Sequence, residues 1–216
     1  MTSGSWRPSS SNSRGTAGQL ASVGTVSDTP GHDWNAELTG QLDPHWREQL
    51  RPRLDGLTDE EYFWEPVPGM WSVRPRGTST APMSLGSGDF SIDHARPAPE
   101  PPPPTTIAWR LNHLIAVVFG RRVGWHFGGE LVNPATYDYP GDAATALARF
   151  DAVYAAWAAG VRGLDAEALA RPAGPAEGLY GDRSMATIVL HVNREAIHHG
   201  AEIALLRDLY RWQPNR

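Results

Sequence analysis

The hydrophobic positions of the chain follow a helical period in four separate stretches, at alternating spacings of three and four residues. The stretches cover about residues 34–57, 105–124, 142–164 and 184–212. Thr105 or Thr106, Asp142 and Ser184 stand where N-terminal caps are expected, and Pro44 and Pro52 are expected to divide the first helix. Because no strand pattern alternates with these stretches, the pattern predicts an all-α fold, a four-helix bundle with long crossover loops.

Two stretches have no hydrophobic period. Residues 1–32 are rich in Ser, Gly and Thr, and this composition predicts a disordered tail before a bundle at 33–216. Residues 77–104 are dominated by Gly, Pro and Ser and end in four consecutive prolines. We expect this insertion to be a long crossover or a lid, and not a domain.

Composition and charge exclude several kinds of protein. The chain has no Cys, so disulfides, Cys-ligated zinc and protein thiolate nucleophiles are excluded. All 19 basic residues are Arg, and the net charge of −5 without any basic run argues against nucleic acid as a partner. Apolar runs such as Leu114 to Phe119 are far shorter than the ~20 residues that span a bilayer, so we expect no membrane association and a cytoplasmic protein.

The fourth helix carries two ionisable residues inside its apolar stripe. Glu195 and His199 straddle the line through Ile188 and Leu206 and lie one turn apart. A buried carboxylate needs a partner, and two residues at this spacing can converge on one metal ion. His191 lies eight residues before His199, which is ~12 Å along a helix and too far for both to bind the same ion. A third ligand must therefore come from another helix.

His113 is the candidate for that third ligand. It lies inside the nearly apolar second helix, beside Trp109 and small residues that leave room for an ion. Another interpretation stays open, since an interior His is often a core residue hydrogen-bonded to a backbone or hydroxyl group.

Five further residues are candidates for the pocket or for support of the ligands. His191 and His198 flank the pair on the fourth helix, and His198 is expected near the surface. Glu202, one turn beyond the pair, either orients a ligand imidazole or borders the stripe. Arg183 either lines the mouth of a pocket or completes a loop. Trp109 is a candidate pocket wall or a core residue.

Several sequence motifs resemble the DinB-like superfamily of damage-inducible proteins, including the branch related to mycothiol-dependent maleylpyruvate isomerase. The resemblance covers about residues 34–212. The motifs are Phe63-Trp64-Glu65-Pro66, Gly69-Met70-Trp71-Ser72-Val73-Arg74-Pro75, Trp109-Arg110-Leu111-Asn112-His113-Leu114, and residues 191–207.

The resemblance implies an up-down-down-up four-helix bundle that binds a divalent metal. In that family a His of the second helix and two residues four apart on the last helix hold the ion, and the matching positions here are His113, Glu195 and His199. A Glu at the earlier position of the pair resembles the mycothiol branch. The insertion at 77–104 departs from the compact family pattern.

These observations favour a metal-dependent thiol transferase or isomerase acting on a small molecule, with a low-molecular-weight thiol as a second partner. Zinc is the first expectation for the ion, with nickel or iron as alternatives. One alternative is a bundle that binds metal without catalysis, for stability or stress response. Another is a metal-free bundle in which Glu195 and His199 pair with each other. The sequence assigns no catalytic residue, and monomer and homodimer both stay open.

Overall fold

A computed structural model describes residues 32–213. The predicted tail at 1–32 therefore lies outside the described residues, apart from His32.

The elements follow one another in a mostly helical order. Helix α1 covers Trp34–Pro44, continues as π-helix at His45–Leu50 and ends in a 3-10 turn at Pro52–Leu54. Helix α2 covers Asp59–Tyr62, and three strands follow: β1 at Val73–Pro75, β2 at Met83–Leu85 and β3 at Phe90–His94. Helix α3 at Ile107–Asn112, a π-helical stretch at His113–Gly120 and helix α4 at Arg121–Phe127 form one continuous helix, called here the central helix (residues 107–127). Helix α5 covers Ala143–Arg162, α6 covers Ala166–Ala170, a 3-10 segment covers Pro175–Tyr180, and α7 covers Met185–Arg211.

The predicted caps are present. The Thr106 hydroxyl, the Asp142 carboxylate and the Ser184 hydroxyl each accept a hydrogen bond from the backbone N–H three residues later. The expected division of the first helix is present in part. Helix α1 ends at Pro44 and the 3-10 turn begins at Pro52, but the backbone remains helical from Pro44 through Leu50.

The four long helical segments share one core. Leu111, Phe119, Phe150, Ile188 and Ile203 are completely buried. The central helix packs against both α5 and α7, and α1 packs against the same two helices. The predicted helical class is thus confirmed. The packing also determines which faces of the central helix and α7 contact each other.

The prediction of a purely α fold is wrong for the insertion, which contributes two strands of a small antiparallel sheet with the order β1-β3-β2. Val73 pairs with Ile92, and Met83 pairs with His94. The strands have three to five residues each, too few to give an alternating pattern among the surrounding Gly, Pro and Ser. Asp93 is buried in β3, and its backbone carbonyl accepts a hydrogen bond from Trp109 Nε1 at 2.9 Å. The sheet therefore supports the central helix.

A candidate metal centre beside an open cavity

Three potential metal ligands converge between the central helix and α7. His113 begins the π-helical stretch, and Glu195 and His199 lie one turn apart on α7. The ligand atoms of these three side chains, called the trio below, all lie within 4.8 Å of one another. Glu195 Oε2 is 3.5 Å from His199 Nε2, and the rings of His113 and His199 are 5.0 Å apart at their centroids. Because zinc–ligand bonds are about 2 Å long, one ion could bind all three.

The hydrophobic pattern of α7 explains how two of the ligands reach the interior. Val192, Ala196 and Ile203 are completely buried, and they draw this face of α7 into the bundle against the central helix. Glu195 and His199 flank that row, so both are only partly buried. The same packing that forms the core therefore brings the carboxylate and the imidazole to the central helix.

His113 is held by ring stacking, and its ring makes no hydrogen bond to the rest of the described residues. Its ring stacks on Trp109, with centroids 5.1 Å apart and planes inclined by 10°. Among residues 32–213, neither ring nitrogen has a hydrogen-bond partner. Burial, reinforced by the nearby His199, lowers the pKa of His113 to about 3. The imidazole is therefore neutral near pH 7, so one of its ring nitrogens has a lone pair that a metal ion could use.

His199 is oriented by two residues behind it. Its Nδ1 lies 2.8 Å from Glu202 Oε2, and Arg110 of the central helix forms an ion pair with the same carboxylate. Burial lowers the pKa of His199 to about 4, although the Glu195 charge acts in the opposite direction. A neutral ring beside a carboxylate donates its Nδ1 hydrogen to that oxygen, which leaves the Nε2 lone pair for a ligand role.

An open cavity of about 410 Å³ adjoins the trio. Its lining comprises His113, Val117, Val118, Arg121, Arg122, Trp125, Ala176, Glu177, Gly178, Tyr180, His191 and Glu195. One wall is the central helix, one is α7, and the third is the 3-10 segment before α7. Gly178 has a φ of 59° in that segment, a conformation that favours glycine. The volume suits a small-molecule ligand.

A second polar cluster fixes the 3-10 wall and has no candidate ligand role. Glu177 accepts hydrogen bonds from Arg122 Nε at 3.0 Å and Arg122 Nη2 at 3.1 Å, and its Oε1 is 3.0 Å from His126 Nε2. Burial alone would raise the pKa of Glu177, but the bonds from His126 and Arg122 lower it below its usual range. We call these three residues the Glu177 cluster. Sequence reasoning missed them, although Arg122 and His126 stand four apart on a nearly apolar helix.

His191 lies in the cavity wall and outside the trio. Its ring stacks on Tyr180 at 5.5 Å, and its Nδ1 is 2.6 Å from Arg194 Nη2. Its Nδ1 is 3.7 Å from Glu195 Oε1, so it contacts the carboxylate from the side away from His199. It is placed to contact a molecule in the cavity.

The other flanking candidates lie farther from the cavity. His198 is 62% exposed and its Nε2 is 3.6 Å from Glu202 Oε2. His198, His199 and Glu202 form a second group of potential ligands, closer to the surface. Arg183 is exposed in the loop before α7 and does not line the cavity.

The sequence matches the DinB superfamily over residues 93–203, just over half of the chain. The chain therefore belongs to the DinB superfamily, which confirms the predicted superfamily, although the motifs at 63–66 and 69–75 lie outside the matched region. The matched region contains the whole trio. Comparisons with curated proteins and with solved structures gave no significant match. Within residues 32–213, no helix combines the length and the apolar character needed to cross a bilayer.

Proposed function

We propose that this chain is a divalent-metal-dependent enzyme of the thiol-transferase or isomerase kind, acting on a small molecule. One observation carries the proposal: the ligand atoms of His113, Glu195 and His199 converge within 4.8 Å beside an open cavity. Three protein ligands next to open space are typical of catalytic metal sites, because a fourth position remains for water or substrate.

The donor set fits a first-row divalent ion. Two neutral imidazoles and a carboxylate occur in catalytic zinc sites and also suit ferrous iron, so zinc is proposed first and nickel or iron are alternatives. When bound, such an ion lowers the pKa of a thiol or a water that enters from the cavity. A thiol nucleophile must come from outside the protein, since the chain has no Cys.

The chain's own residues have separate roles in this proposal. His113 and Glu195 both face the cavity, so a small molecule there meets two of the ligands directly. Glu202 holds His199 in one tautomer, and Arg110 holds Glu202. The Glu177 cluster keeps the third wall of the cavity in place.

The finer assignment within the superfamily is also part of the proposal. Glu195 at the earlier ligand position favours the mycothiol-dependent branch, with a low-molecular-weight thiol as cosubstrate and a cytoplasmic site of action. The packing of four long helical segments is compatible with the up-down-down-up bundle implied by the family.

Metal content distinguishes the trio from its neighbours. The full-length protein, purified without a His-tag or chelator, is analysed by elemental mass spectrometry beside two matched variants. Glu195→Gln removes a ligand from the trio, whereas His198→Gln removes one from the more exposed group that shares His199. We expect about one ion per chain in the wild type and in His198→Gln, and none in Glu195→Gln.

Two results would contradict the metal site. Loss of the ion only in His198→Gln would move the site to the surface. Absence of an ion in every protein, even after addition of zinc, nickel or ferrous iron, would support the metal-free pairing of Glu195 with His199 at 3.5 Å.

Turnover is tested separately from metal binding. Thiol consumption with 1-chloro-2,4-dinitrobenzene is measured for zinc-loaded wild type and for Glu195→Gln. A rate that follows metal occupancy supports an enzyme. Full occupancy without any rate above background, across a panel of thiols and electrophiles, would favour the non-catalytic metal-binding alternative.

A further inference from the structure

We infer that the cavity contains a carboxylate-binding subsite centred on Arg121, so the molecule that reaches the trio is a small organic acid. The inference deepens the proposed function and rests on it for the chemistry at the trio. The subsite itself stands on the geometry and charge of the cavity.

Four residues of the central helix form one row along the cavity wall. His113, Val117, Arg121 and Trp125 are spaced four residues apart, and all four line the cavity. Residues at this spacing lie above one another on one helix face. The row therefore places an imidazole of the trio at one end, an apolar side chain next, and then a guanidinium held by an indole.

Arg121 is a cation of the cavity that forms neither an ion pair nor a hydrogen bond among residues 32–213, although the charge of Glu177 acts on it from a distance. The neighbouring Arg122 is neutralised by Glu177, which it binds through two nitrogens. Arg121 has no ion pair and no hydrogen bond within the described part of the chain. The contact that fixes it is with Trp125, whose ring centroid lies 4.4 Å from the guanidinium carbon. A second cavity that Arg121 borders has no acidic residue in its lining.

This arrangement favours an anion from outside. Arg121 is only partly exposed, and burial together with the charge of Arg122 lowers its pKa, although the charge of Glu177 acts in the opposite direction. An anion would relieve both effects. A guanidinium held over an aromatic face keeps its N–H groups for other partners, and their fork matches the two oxygens of a carboxylate.

The distance along the row sets the kind of molecule. His113 and Arg121 are eight residues apart across the π-helical stretch, which is shorter than the ~12 Å that eight residues span in an α-helix. Val117 and Val118 line the wall between them. A ligand that reaches both ends needs a carboxylate, a short apolar chain and a reacting group at its other end.

The test compares two probes that differ only at the end expected near Arg121. 6-Mercaptohexanoate and 6-mercaptohexan-1-ol are titrated by calorimetry into zinc-loaded wild type, Arg121→Met, Arg121→Lys and Arg171→Met. Arg171 is an exposed residue paired with Glu167 and lies outside the cavity lining, so its variant is the matched control.

We expect wild type and Arg171→Met to bind the carboxylate at least about tenfold more tightly than the alcohol, the range of a charge-assisted hydrogen bond. Arg121→Met should bind both probes equally, and Arg121→Lys should keep part of the preference. Circular dichroism checks that each variant is folded. If Arg121→Met does not fold, Arg121→Lys against wild type carries the test. Equal affinities in folded wild type, or binding of neither probe, would overturn the subsite.

The same titrations on chelator-treated protein separate this inference from the proposed function. A preference for the carboxylate that depends on Arg121, in a protein that never binds metal, supports the subsite and contradicts the metalloenzyme. Metal binding together with tight binding of both thiols, without any preference for the carboxylate, would support the metalloenzyme and contradict the subsite.

Discussion

The central helix contributes residues to two clusters that combine histidine with a carboxylate. The clusters differ in whether their polar atoms already have bonding partners within the protein. In the Glu177 cluster, both carboxylate oxygens are bound by Arg122 or His126. In the trio, the potential ligand atoms of two neutral imidazoles and of Glu195 lie within 4.8 Å of one another. The contact between Arg194 and Glu195 is 3.4 Å and belongs to an exposed arginine.

The difference separates a structural cluster from a binding site. A carboxylate bonded to a guanidinium already has its charge and its hydrogen bonds satisfied. Here this pair holds the 3-10 segment against the central helix. Acceptor atoms that converge on one point lack a positive partner, because lone pairs that face one another are stabilised only by a proton or a cation. The two clusters should therefore respond differently to mutation.

The largest expected effect is loss of stability on breaking the Glu177 cluster. Arg122→Met leaves a buried carboxylate without its main partner, and we expect a loss of about 3–5 kcal/mol in the free energy of unfolding. Urea denaturation of metal-free protein measures it. Arg171→Met, in an exposed pair, should cost less than about 1 kcal/mol. A similarly small cost for Arg122→Met would show that the cluster is not structural.

The next largest effect concerns zinc affinity, and it compares His113 of the trio with His126 of the Glu177 cluster. His113→Gln removes a ligand of the trio, and we expect zinc affinity to fall by more than the ~10–100-fold typical of residues behind the ligands. His126→Gln should leave zinc affinity within about threefold, because His126 contacts only Glu177 in the ion-pair network. Competition with a chelating dye measures both. Equal losses would mean that the two clusters are not functionally distinct.

Removal of support behind the trio should have a smaller effect. Glu202→Gln weakens the acceptor that orients His199 and leaves Arg110 without its ion pair. We expect zinc affinity to fall about 10–100-fold, with the ion still bound at saturating zinc. Stoichiometry and affinity from the same dye competition check this. Complete loss of the site would make Glu202 a ligand, as in the more exposed group.

The smallest effect is a pH dependence of stability in metal-free protein. Burial lowers the pKa of His113 to about 3, whereas a free imidazole titrates near 6.5. Below pH 6.5 the unfolded chain therefore binds a proton that the folded chain does not, and stability falls as the pH falls. We expect wild type to lose about 1 kcal/mol more than His113→Gln between pH 7.5 and 5.5. Urea denaturation at both pH values measures the difference, and identical losses would contradict a buried neutral His113.

The sequence predicted the helical part of the fold because periodicity and caps are local signals. The stripe of α7 was readable from Ile188 to Leu206, and the spacing of Glu195 and His199 within it indicated their convergence. The position of His113 inside an apolar helix indicated a third polar group. Each of these features depends on one helix at a time.

The sheet and the Glu177 cluster could not be predicted in the same way. The strands of the insertion are too short for an alternating pattern, and buried Asp93 interrupts what apolar pattern exists. Arg122 and Glu177 are 55 residues apart, so nothing local indicates that they pair. Within the described residues, Arg121 is left without an ion pair because Glu177 pairs with Arg122. The sequence alone therefore gives no sign that Arg121 is the unpaired arginine of the two.

The central claim is that the trio, and not the surrounding polar groups, binds a divalent ion. Anomalous diffraction at the zinc absorption edge, from crystals of protein loaded with one equivalent of zinc, tests it most directly. We predict one strong peak about 2.0–2.2 Å from a nitrogen of His113, an oxygen of Glu195 and a nitrogen of His199. A peak bound by His198 and Glu202 without His113, or ordered trio side chains with no peak between them, would contradict the account.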